Sequence, residues 1–269
     1  MAEVDFARLP PPPRLHPVPV LATSRLIYLT ILSLSPLLFR LALIPLLVLF
    51  ALTFLTDLLA PESPLVLMIG GVNLFFTVWY GTAVQRLYLL GPTPQTLDVR
   101  PLWKPAQVRV FLRAIGIICI IIAAMVPPMM LFGGFAGAYG GGGPQIGTWM
   151  IAPMLVGLAA AALVCFTLPA AAVGSGYGFL RSARESGGIL LSLIGVMLIV
   201  VAPADIVLLL VRLAAAELEV ATGLFAPALI LSLLAVFIQT SVTALALAVV
   251  FAARIGWQRP STLPQGPRA

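Results

Sequence analysis

Charge is scarce in this chain. Only 9% of its 269 residues are Asp, Glu, Lys or Arg, against roughly 25% in a soluble domain. So few charges cannot build a hydrated surface, which excludes a soluble globular fold. Histidine is nearly absent: the single copy, His16, sits between Leu15 and Pro17. That excludes a histidine triad or a zinc site within a membrane. Cysteine is limited to Cys119 and Cys165, both inside apolar runs and without metal-ligand spacing. They read as small core hydrophobes rather than a disulfide framework. Carboxylates are also few. Asp57 and Asp205 could meet at one depth in a membrane, but they lack the glycine-rich motifs of intramembrane aspartyl proteolysis. No metal or cofactor is therefore expected.

What the chain has instead is hydrophobicity. Apolar residues make up 61% of it, in long uncharged runs. A bilayer span needs about 20 such residues. The runs place six spans at about 37–58, 65–84, 109–129, 149–172, 189–211 and 225–251. The expected fold is all-α, a polytopic transmembrane helical bundle of six spans. Residues 1–21 form a proline-rich tail, with Pro10 to Pro13 in a row and Pro17 and Pro19 following. No secretory signal is expected there, since an apolar stretch beside a basic start is missing. Residues 257–269 form a second tail, and the transmembrane domain is 22–256. Residues 22–35 suit either a short interfacial helix ending before Pro36 or an extension of the first span.

The stretch Asn73 to Arg113 organises the rest. An apolar run ends at Gln85-Arg86, a proline-rich linker follows, and a second run begins. Trp79 and Tyr80 are expected near the membrane interface. Lys and Arg in short loops set orientation. With both termini cytoplasmic, every Lys and Arg except Arg212 falls on the inner side, and Asp57, Glu62, Asp205, Glu217 and Glu219 fall on the outer side. An odd number of spans breaks that alternation. The net charge of +6 therefore reports topology, and nucleic acid is not an expected partner. The expected location is a bacterial inner membrane.

Two sets of residues are candidates for function. Arg86, Lys104, Arg109 and Arg113 form a basic cluster of the kind that attracts anionic lipid headgroups. Topological anchoring explains the same cluster. Asn73, Asp205 and Gln239 are polar groups within spans. Asp205 reads as a carboxylate in the outer half of its span, paired with Arg212, or as a proton or cation site shared with Asn73 and Gln239. Asn73 reads as an interhelical hydrogen-bonding group.

Two glycine-rich stretches invite sharper readings. Residues 133–147 are rich in glycine, but no GK[ST] follows, so a phosphate cradle is not supported and an outer loop is expected. The loop from Gly174 to Gly188 opens near VGSGYG, which departs from the potassium-filter order and sits beside Arg181 and Arg184. Pro169 is placed to kink the end of the fourth span.

The segment Val84-Gln85-Arg86-Leu87-Tyr88-Leu89-Leu90-Gly91 resembles the "WHR-x-x-LLGE" segment of small proteobacterial inner-membrane proteins. Those proteins are similar to the YciC-like family and to the membrane domain attached to some glycerophosphodiester phosphodiesterases. Leu168 to Gly174, followed by Ser182-Ala183-Arg184, resembles a second segment of that family, "LPA-x-A-x-G" with a short amphipathic stretch. The family's Trp-His is Val84-Gln85 here, and its Glu is Pro92. The resemblance implies an integral membrane protein and carries over no catalytic residue.

Three function classes follow. The first is a non-enzymatic accessory or assembly subunit with a membrane-protein partner, and it is the leading expectation. The second is a small-solute transporter or channel lined by Asn73, Asp205 and Gln239, although no internal repeat is evident. The third is an anionic-lipid-binding protein using the basic cluster. For all three the bilayer itself is a partner.

Overall fold

The computed structural model describes residues 16–57, 63–93, 96, 105–139, 151–222 and 225–257. Within them the chain is helical, without strands, and eight helices follow one another. They are α1 (Val20–Asp57), α2 (Pro64–Leu90), α3 (Pro105–Tyr139), α4 (Ile151–Val164), α5 (Thr167–Ala172), α6 (Phe179–Gly187), α7 (Leu190–Thr222) and α8 (Phe225–Ile255). Six segments are long and apolar enough to cross a membrane, with α4 and α5 together making one of them. Large apolar side chains such as Phe39, Leu47, Ile122, Met130 and Leu198 stand exposed around the bundle. In water such a surface would aggregate; here it faces lipid. The protein is an integral, multi-pass membrane protein.

Helix α8 is the spine. Every residue from Ala244 to Phe251 is buried, as expected of a helix that is apolar all round. α1, α2 and α7 pack against it. Its alanines let neighbours approach closely: Gly81 of α2 lies against Thr240 and Ala244. α3 packs on α4, α5 and α2, and α6 lies against α4.

The helices run past the boundaries that hydrophobicity predicts. α1 passes straight through Pro36 and Pro45, so residues 22–35 are an extension of the first span and not an interfacial helix. Pro36 cannot donate to Leu32, which leaves that carbonyl free. The hydroxyl of Ser35 donates to it instead, at 2.9 Å, the kind of local repair that lets proline sit in a membrane helix. α3 likewise continues through Pro127-Pro128, the expected end of its span, to Tyr139. α7 continues to Thr222, so residues 213–222 are helix rather than a connection. Their Ala, Leu and Glu are strong helix formers, and no breaker intervenes. Most of the expected glycine-rich loop, 140–147, lies outside the described residues.

The fourth span is broken. Pro169 excludes the carbonyl of Cys165 from a regular helix turn, and α4 ends at Val164. The Thr167 hydroxyl donates to the Val164 carbonyl at 2.7 Å, and the chain resumes as α5. The loop expected from Gly174 to Gly188 contains α6. Ser182 and Ser186 of α6 both donate to the Leu163 carbonyl, at 3.0 and 2.6 Å, which docks α6 onto the end of α4.

Trp79 and Tyr80 are not interfacial. Both are buried, because α2 runs on to Leu90 and places them near its middle. The first and last described segments meet. His16 N–H donates to the Arg254 carbonyl at 3.0 Å, and Trp257 Nε1 donates to the Leu89 carbonyl at 3.0 Å. Residues 16–21 and Trp257, which the expected tails include, therefore pack on the bundle; Val18 is buried. Residues 1–15 and 258–269 lie outside the described residues.

Candidate functional site

At the end of the bundle where His16 and Trp257 lie, three arginines converge on the broken fourth span. Arg86 of α2 donates through Nη1 to the Ala172 carbonyl at 2.8 Å. Arg113 of α3 donates through Nη1 to the Thr167 carbonyl at 3.0 Å. Arg109, one turn before Arg113, lies across Gly174, where a Cβ would come 3.4 Å from its Nη2. Gly174 has φ +81, the left-handed region that glycine adopts freely. That turn brings the chain back beneath Arg109. Val110, Ala171 and Ala172, with Val78 and Leu168, form a small apolar floor. The charge of Arg109 acts on both Arg86 and Arg113. No carboxylate among the described residues pairs with any of the three. Lys104, the fourth member of the expected cluster, lies outside the described residues. The segments 84–91 and 168–174, far apart in sequence, thus meet through Arg86 and Ala172.

The intramembrane candidates divide differently. Gln239 Nε2 donates to Asp205 Oδ1 at 3.0 Å. Asn73 does not join them through its carbonyl, since its Oδ1 is buried without a hydrogen-bond partner. The interhelical bond expected of that oxygen is therefore not made. Asp205 is not ion-paired to Arg212; Gln239 is its partner. Because α7 extends to Thr222, Asp205 sits beside the midpoint of that helix and not in an outer half. Gln239 is equally central in α8. The pair lies on the lateral surface, with Asp205 exposed and Gln239 partly so.

Arg40 lies at the same depth. The Leu38 carbonyl and the Ser241 hydroxyl both reach the Tyr80 hydroxyl, at 3.4 and 2.6 Å, which sets α1 and α8 level there. Arg40 and Gln239 each stand two residues farther from the His16 end. Arg40 is exposed and has no ion pair among the described residues. Its central position contrasts with the place near the inner helix end that hydrophobicity suggests.

Sequence reasoning missed a third cluster. Arg254 is buried and donates through Nε to the Glu185 carbonyl at 3.1 Å and through Nη1 to the His16 carbonyl at 2.8 Å. Glu185 Oε1 accepts from Arg181 Nε at 2.9 Å, while its Oε2 is buried without a partner. Burial holds the Glu185 carboxyl above its ordinary range, against the opposing charge of Arg254. Arg181 also stacks over Tyr177, 4.6 Å from the ring centre. The available signal was the i,i+4 spacing of Arg181 and Glu185 on an amphipathic nine-residue stretch. Among the described residues no group of His, Cys, Asp and Glu could hold a metal ion. Comparison of the chain with protein-family models, curated proteins and solved structures returns no match.

Proposed function

We propose that this protein is a non-enzymatic accessory or assembly subunit that packs laterally against another membrane protein. The observation that carries the reading is the Asp205–Gln239 pair, exposed at mid-length on α7 and α8. A charged side chain at the centre of a lipid-facing helix costs about 2.5–3.5 kcal/mol on insertion scales. A neighbouring protein that covers the pair and supplies a donor to Asp205 offsets that cost. The exposed Arg40 at the same depth adds a second such group. The distribution of Lys and Arg supports an orientation with both termini in the cytoplasm, in a bacterial inner membrane. The resemblance of residues 84–91 and 168–174 to YciC-like membrane proteins supports the same setting.

The test is native mass spectrometry after mild-detergent extraction from the source membrane, paired with a photo-crosslinking residue at Leu209, which is exposed one turn from Asp205. One stoichiometric protein partner, crosslinked at Leu209, is the expected result. A protein that emerges without a protein partner and crosslinks only lipid would sink the reading.

A further inference from the structure

We propose that Arg86, Arg109 and Arg113 form a binding site for a phosphate-bearing ligand, seated on the turn from α5 into Gly174. Three observations carry it. First, the arginines come from two helices, and two of the three are held. The Ala172 and Thr167 carbonyls fix Arg86 and Arg113 in place through one nitrogen each. Their remaining nitrogens, and the whole guanidinium of Arg109, have no hydrogen-bond partner among the described residues. Guanidinium forks match phosphate oxygens, and held side chains lose little entropy on binding.

Second, among the described residues the cluster is uncompensated. The neighbouring Arg181 and Arg254 are already engaged, the first by Glu185 and Tyr177 and the second by backbone carbonyls. The Arg109 guanidinium repels both Arg86 and Arg113 unless an anion joins them. Third, topology does not require the gathering. The positive-inside rule is met by basic residues anywhere in the connecting loops, whereas this convergence uses two α5 carbonyls, the end of α5 at Ala172 and the positive φ of Gly174. A phospholipid headgroup and a soluble phosphate share the recognised group.

The experiment uses the full chain in phosphatidylcholine nanodiscs. One arm adds phosphatidylglycerol to the disc and counts the lipids retained by native mass spectrometry. The other titrates inorganic phosphate and follows the melting temperature. Arg109→Gln is the informative variant, since Arg109 makes no hydrogen bond among the described residues. Arg184→Gln, an exposed arginine on α6, is the control. Expected is saturable binding, weakened about tenfold or more in Arg109→Gln and unchanged in Arg184→Gln. Retention of phosphatidylglycerol without a response to phosphate assigns the lipid headgroup. A response to phosphate without retained lipid assigns a soluble ligand, and a response to both assigns the phosphate group itself. Saturable binding of neither, or equal weakening in both variants, overturns the site.

Discussion

Tyr80 and Ser241 share a hydrogen bond of 2.6 Å between α2 and α8, in the middle of the bundle. The ring of Phe237 meets Tyr80 edge-on, with centroids 4.9 Å apart. Hydrogen bonds between membrane helices contribute about 0.6 kcal/mol on average. Tyr80→Phe and Ser241→Ala are each expected to lower stability by about that amount. The double variant is expected to lose less than the sum. Unfolding in mixed micelles measures all three; strict additivity would show that the bond contributes nothing.

Ser35 repairs the gap that Pro36 opens. Ser35→Ala leaves the Leu32 carbonyl unpaired and is expected to cost about 1 kcal/mol. In a Pro36→Ala background the same change is expected to be nearly silent, because the backbone N–H restored at that position can serve Leu32. An equal cost in both backgrounds would disprove the repair.

Gly174 carries both a left-handed φ and the overlying Arg109. Gly174→Ala is expected to destabilise by roughly 1–2 kcal/mol from the backbone alone. Gly178, with φ −87 and open space at its Cβ position, is expected to accept alanine with little loss. A thermal melt of the two variants side by side decides this.

Glu185 makes stability depend on pH. Its folded pKa is raised above 4.5, so the folded state binds the proton more tightly than the unfolded chain. The contribution is fully present below the unfolded pKa and is lost as pH rises through the folded one. Wild type is therefore expected to melt higher at pH 5 than at pH 7. Glu185→Gln is expected to flatten that difference. A variant with the wild-type slope would place the effect elsewhere.

Asp205→Asn keeps a side-chain oxygen for Gln239 and removes the charge. The fold is expected to survive, with the melting temperature in detergent within a few degrees of wild type. Under the proposed function the variant loses its protein partner on co-purification. Unfolding of the purified variant would show instead that the charge holds the bundle together.

The six spans were legible because an 18-residue apolar run has few alternatives. The ends of the helices were not, since hydrophobicity marks where lipid stops and not where hydrogen bonding stops. α7 runs to Thr222 through strong helix formers, and Ser35 carries α1 past a proline. Asp205 and Gln239 could be named together from sequence, but their exposed position could not, because it depends on the angle between α7 and α8. The basic cluster was legible as a group. Its geometry was not, since the Ala172 carbonyl that takes Arg86 is available only because α5 stops at the turn into Gly174. Trp79 and Tyr80 were misplaced for the same reason as the helix ends.

The spine of the bundle is also the last of the eight described helices in chain order. α1, α2 and α7 all lean on α8, and the buried run Ala244 to Phe251 follows every helix that it organises. During synthesis the earlier helices enter the bilayer with nothing to close around. Tyr80 waits for Ser241, Asp205 for Gln239, and His16 for Arg254. Assembly is therefore a late, long-range event. A nascent chain halted at Thr222 would be inserted but open, with its polar groups facing lipid and available to membrane quality control.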